Sequence, residues 1–202
     1  MSNWCFTSYT VTKSKAEGGI EPLFKFIEET INKECLTKNG FGNNWLGDLI
    51  ERGLKTSYEE YDCRGTVDYL EKCSEEQVIF ETKSAWGPTP DMFFDLCKVF
   101  VPGAEITFTA EEPGMGEYIT NDPVYNGLFI IDSSNDDIES NFEATERDVR
   151  DLVIKLAGES PDWEKIENVI QALREGDYNI SINAWDYEDI GPNYEIPFSS
   201  VA

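Results

Sequence analysis

The sequence predicts an α+β domain in which helices lie against a largely antiparallel sheet. Two observations within residues 77–121 predict it. Apolar residues recur with period two over Gln77–Lys83 and again over Glu105–Glu111. Between these strands Met92, Phe93, Leu96, Val99 and Phe100 recur at helical spacing. A third observation is compositional: 40% of the chain is apolar and 13% aromatic, which is enough for a real core despite the acidity. At 202 residues the chain is one large domain, or one domain with a substantial extension.

Taken in order, Ser2–Thr12 is aromatic and β-branched and reads as a central first strand. Ala16-Glu17-Gly18-Gly19 turns the chain. Glu21–Lys33 then reads as a helix, with Leu23, Phe24, Phe26, Ile27 and Ile31 on its buried side and Pro22 near its start. Thr37–Asn44 is a Gly/Asn loop, Trp45–Glu51 a short helix or turn with apolar anchors, and Asp68–Glu71 a further strand. Gln77–Lys83 follows, broken by Trp86-Gly87-Pro88-Thr89-Pro90, where Thr89 is placed to cap a helix with Pro90 in its first turn. Pro102-Gly103 ends that helix. Glu112–Gly116 turns Glu105–Glu111 back into Glu117–Thr120. Leu128–Asp132 reads as a short buried strand and Ser133–Ser140 as a loop. Thr145 caps Glu146–Leu156, whose apolar face is Val149, Leu152, Val153 and Leu156, with Gly158 as its stop. Ser160-Pro161-Asp162 starts a second helix carrying Trp163, Ile166, Val169, Ile170 and Leu173 to Gly176. Tyr178–Tyr187 alternates as a last strand, and Gly191–Ala202 is a tail.

Charge and residue absences restrict the chemistry. Forty acids stand against sixteen bases, a net charge of −24, which repels nucleic-acid phosphate and attracts basic surfaces. Histidine is absent, which removes Ser-His-Asp and Cys-His nucleophilic schemes, histidine general bases and histidine-ligated metals. The five cysteines are odd in number and show no C-x-x-C pair, so free buried thiols in a reducing cytoplasm are expected rather than disulfides or a zinc site. Met1–Ser8 has no apolar signal-peptide core, and no apolar run approaches a membrane span. No G-x-x-x-x-G-K-[ST] phosphate loop occurs. Asp132-x-x-x-Asp136-Asp137-x-Glu139 offers oxygen ligands but lacks the EF-hand spacing, so no metal or other cofactor is expected. Cys63 beside Arg64 is read as a buried thiol before a reactive one, and the five tryptophans as packing groups before a stacking platform.

Four pieces occur in order: Ser2-Asn3-Trp4-Cys5; Trp45-Leu46-Gly47; Cys63-Arg64-Gly65; and Glu81-Thr82-Lys83-Ser84-Ala85-Trp86 with Pro88, followed further on by Glu111-Glu112-Pro113-Gly114. In this order they resemble the YubB-like family of ferredoxin-like proteins, carried by plasmids, phages and gut bacteria. The resemblance covers about residues 1–121. It implies a ferredoxin-like antiparallel sheet with helices on one face and no iron–sulfur cluster, and it transfers no mechanism. Residues 122–202 are expected to add an acidic helix pair and strand packed on the same domain.

From Val99 to Glu146, and again from Glu175 onward, the chain contains no Lys or Arg. Most soluble surfaces intersperse both signs. Duplex DNA presents a charge every ~1.7 Å of axis. Carboxylates repeat at about 7 Å along one strand face and about 6 Å along one helix face, so adjacent acidic elements can imitate a phosphate path. The expected function is therefore non-enzymatic: an acidic mimic that occludes the basic nucleic-acid-binding surface of a host defence protein, such as a CRISPR or restriction nuclease. The expected contact residues are Glu111, Glu112, Asp132, Asp136, Asp137, Glu139, Glu143, Asp186, Glu188 and Asp189. Two alternatives stay open. One is an acidic structural or housekeeping domain whose charge only solvates it. The other is a carboxylate hydrolase using Glu111 or Glu112, whose side chains point to opposite faces of a strand; otherwise one of these two faces solvent while the other caps the Pro113-Gly114 turn.

Overall fold

Strand β1 (Trp4–Thr12) sits in the middle of the larger sheet and organises it. Its alternation turns Cys5, Thr7, Tyr9 and Val11 into the core and leaves Phe6, Ser8 and Thr10 on the opposite face. The structure is a computed structural model that describes residues 3–134, 137–158, 165–175 and 178–191. The expected helix start at Ser160-Pro161-Asp162, Trp163, Asp136 and nearly all of the expected tail lie outside the described residues. The side chain of Leu173 does as well.

The fold is mixed α+β. Helix α1 (Glu21–Ile31) follows β1, then come a short helix α2 (Leu46–Leu49), β2 (Gly65–Lys72), β3 (Gln77–Ala85), helix α3 (Pro90–Phe100), β4 (Glu105–Glu112) and β5 (Glu117–Thr120). The sheet order is β2-β3-β1-β4-β5-β9, where β9 (Asp186–Tyr187) comes from the end of the described chain. Its neighbours are antiparallel except β9, which joins β5 in parallel through Ile119↔Asp186 and Thr120↔Tyr187.

Aromatic packing fixes the helices on one face. The Tyr9 ring is fully buried, stacked on Phe80 at 4.9 Å and packed against Phe93 of α3 at 4.6 Å. Phe26 of α1 stacks on Phe100 of α3 at 4.1 Å, so both helices cover the same side of the sheet. Three local expectations change. α1 stops at Ile31 rather than Lys33, because the Asn32 amide donates to the Glu28 carbonyl at 2.8 Å and competes with the helical ladder. Thr89 occupies the N-cap position of α3 with Pro90 after it, but its side chain makes no capping bond and is buried. Val99 is 56% exposed, since it lies about 200° around the helix from buried Cys97.

The short motifs of the first half meet in space for packing reasons. The Trp45 indole donates to the Cys63 carbonyl at 3.0 Å. A β-carbon on Gly47 would fall 2.2 Å from that indole ring, and one on Gly65 would fall 2.3 Å from the Lys83 carbonyl oxygen. Each glycine is there because a ring or a neighbouring strand occupies the side-chain space.

A second sheet, ordered β7-β6-β8, is built from β6 (Phe129–Ser133), β7 (Asn141–Ala144) and β8 (Ile180–Ala184), all antiparallel. Helices α4 (Glu146–Ala157) and α5 (Ile166–Glu175) cover one of its faces: Val149, Val153 and Val169 pack on Phe129, Ile131 and Ile182. Thr145 caps α4 as expected, in a reciprocal box with Asp148. The expected single strand 178–187 is divided at Trp185: β8 pairs in the small sheet, while β9 crosses to the large one. The extension thus contributes strands to both sheets. Among the described residues no helix is long and apolar enough to cross a membrane.

Candidate acidic site at the seam between the sheets

On β6, Phe129 and Ile131 face the helices, so Ile130 and Asp132 face the other way, toward the larger sheet. Ile130 is fully buried against Tyr118 and Trp185, with Tyr125 and Leu128 at the margin. The Trp185 ring stands edge-on to Tyr118 at 5.9 Å and tilted on Tyr125 at 5.0 Å. This aromatic seam places acids that are remote in sequence beside one another.

Glu111 is the central one. The β1–β4–β5 register sets it between Phe6 and Tyr118. It is half-buried, and burial pushes its pKa up; the charge of Asp132 pushes it further. Burial also raises Tyr118, and the charges of Glu111 and Asp132 add to it. Tyr125 is raised first by burial and then by Glu143, Asp122 and Glu111. Glu111, Asp132 and Glu143 therefore act on the same ring cluster. None of the three is in an ion pair among the described residues. Asp132 accepts from the Ser140 hydroxyl at 3.3 Å.

A second acidic group forms at the β9 edge. Burial raises Glu188, with Asp186 and then Asp91, at the start of α3, adding to it. Asp189 is exposed immediately after it. Asp137 and Glu139 are exposed in the β6–β7 loop, whose Asp136 lies outside the described residues.

Glu112 does not belong with these acids. It is 3% exposed, on the core side of β4, and its carboxylate accepts the Met115 N–H in the turn that follows. Strand alternation sends it inward when Glu111 points outward. It caps a turn, as one of the two was expected to do.

Sequence reasoning missed Tyr118, Tyr125, Asn183 and Asp91 as neighbours of the acids. The Asn183 side chain works against the rise at the Tyr118 hydroxyl. No local pattern points to these residues, since strand register and the division of the last strand bring them in. Among the described residues, no group of three or more His, Cys, Asp or Glu is arranged to hold a metal ion. Comparison with models of known protein families, with curated proteins and with solved structures finds no match for this chain.

Proposed function

We propose that this chain is a non-enzymatic, acidic binding protein of the YubB-like type, carried by a mobile element. In the cytoplasm it would occlude a basic nucleic-acid-binding surface on a host defence protein such as a CRISPR or restriction nuclease. Three carboxylates around one ring cluster, Glu111, Asp132 and Glu143, none of them in an ion pair among the described residues, carry this reading. Like charges held on rigid strands repel one another, and a cationic partner relieves that repulsion while the charge steers the encounter. The base-free segments that flank the seam extend the same potential.

The strand order β2-β3-β1-β4, with α1 and α3 as its crossovers, supports a ferredoxin-like reading of residues 1–121. On that reading β5 and β9 extend the sheet, and the smaller sheet is an addition that creates the seam.

The test is a pull-down from host lysate at low and high salt, with identification of the captured proteins. Expected is a basic nucleic-acid enzyme held at low salt and released at high salt, with capture reduced by charge reversal at Asp132 and Glu143, and at Asp136, Asp137 and Glu139. Capture indifferent to salt and to these substitutions removes the mimic. No enriched protein favours the domain whose charge only solvates it.

One observation favours a second reading. Glu111, half-buried in the seam and with its proton affinity raised first by burial and then by the charge of Asp132, is the carboxyl on which a hydrolase would rest. Turnover of an aryl glycoside that disappears in Glu111→Gln would support it; no turnover would remove it.

A further inference from the structure

The face of the larger sheet that carries Phe6 is open over β1–β3, whereas over β4–β5 it runs into the seam, where Tyr118 and Thr120 are buried. Its residues fall in rows across the strands. One row runs Thr66, Lys83, Phe6, Glu111, Tyr118, and the next Tyr69, Glu81, Ser8, Thr109, Thr120. Side chains directly opposite in such rows are about 5 Å apart at their β-carbons, and diagonal ones about 7 Å. Phe6 is 50% exposed and Tyr69 44%. The face already holds one cation on aromatic rings: the Lys83 ammonium lies 5.1 Å from the Trp4 ring centroid and 5.4 Å from that of Phe6.

We propose that this face docks an arginine-bearing segment of a basic protein, with the guanidinium laid on Phe6 or Tyr69 and paired with Glu81 or Glu111. The inference rests on the binding function proposed above and names its contact surface. Charge selects the occupant. Glu71, Glu81, Glu105 and Glu111 stand on this face, none of them in an ion pair among the described residues, against the single cation of Lys83. Phosphate is repelled by such a face, and so is a second copy of a chain with net charge −24. Geometry selects arginine over lysine. Glu81 lies directly across from Tyr69 and diagonal to Phe6, so a planar group lying on either ring finds a carboxylate at its edge. Guanidinium both stacks and pairs in two-pronged fashion, whereas an ammonium is a point charge.

The experiment titrates the whole chain with nona-arginine and with nona-lysine peptides and follows backbone amide NMR shifts. Expected are shifts centred on Phe6, Tyr69 and Glu81, and affinity for the arginine peptide about tenfold above the lysine peptide. Phe6→Ser and, separately, Glu81→Gln each weaken the arginine peptide about tenfold. Both residues are exposed, and unchanged spectra elsewhere report intact folding. Equal affinity for the two peptides, or affinity unmoved by both substitutions, overturns this docking face and leaves the charge-based function standing. No binding of either peptide at low salt overturns both, as does preference for a single-stranded RNA oligonucleotide.

Discussion

The Trp185 indole donates its Nε1–H to the main-chain carbonyl of Phe142 at 2.9 Å, while its backbone N–H donates to Leu128 at 3.0 Å. Trp185 sits where the chain leaves the small sheet for the large one, so these bonds tie β7, the end of β8 and the seam into one unit.

Trp185→Phe keeps most of the ring contact with Tyr118 and Tyr125 and removes the donor. It is expected to cost about 1–3 kcal/mol. Trp185→Ala also empties the seam and is expected to cost about 3–5 kcal/mol. Denaturant unfolding measures both, and equal losses would mean that the rings contribute nothing beyond the hydrogen bond.

Acidity has an unusual sign at the seam. Glu111 holds its proton more tightly in the folded chain than an exposed carboxyl does, first because of burial. The folded state therefore binds more protons between the ordinary carboxylate pKa, about 4.3, and the raised value. Its contribution is fully present below that ordinary value and is lost as pH rises through the raised one. Glu21, lowered by its hydrogen bond from Lys72, and Asp148, lowered by its bonds from Thr145, slope the other way. Glu111→Gln is expected to raise Tm at pH 7 and leave it unchanged near pH 4. The same gain at both pH values would detach the effect from ionisation.

Asp48 is fully buried, pairs with Arg52 Nε at 2.7 Å and accepts the Leu36 N–H at 2.8 Å. Arg52→Ala leaves a buried carboxylate without its cation, and about 3–5 kcal/mol of stability should be lost. Adding Asp48→Leu to an Arg52→Met chain should recover part of this, short of all, because the Leu36 N–H then lacks its acceptor. Full recovery on unfolding would show that this backbone bond carries no weight.

Thiol chemistry separates the cysteines. Cys73 is exposed. Burial pushes Cys5 and Cys63 up to about 11 and Cys97 up to about 12. A disulfide reagent at pH 8 should find Cys73 fastest, with the half-buried Cys35, whose pKa burial also pushes up, reacting more slowly. Cys73→Ser should abolish the fast phase and leave the slower one. The three buried thiols should react only on unfolding. Native reaction of more than the Cys73 and Cys35 thiols would contradict their burial.

Much of the fold was legible because it is encoded over short range. Period-two alternation placed Tyr9, Phe80 and Phe108 in the core, helical spacing placed Leu23, Ile27, Phe93 and Leu96 there, and Thr145 marked the start of α4. Phe142 and Glu143 gave no such signal. β7 is short, its residues other than Ala144 are exposed, and it exists through pairing with β6. The acidic site was legible as composition and not as geometry: Asp132 and Glu143 were named from a run of acids, whereas their convergence on Glu111 depends on a seam between two sheets.

The sequence by itself determined the α+β class, the central place of β1, the boundaries of most elements and the charge of −24, because side-chain period, capping and ionisation are local properties. Tertiary structure alone decided that Glu111 turns toward the seam while Glu112 turns into the core. It also decided that the chain divides at Trp185 between two sheets, and that Phe6, Lys83 and Glu111 share one row. The physical reason is register. A strand's own alternation says which residues share a face, but which residues from remote strands lie opposite one another is set by pairing across the sheet and by what packs on each side of it.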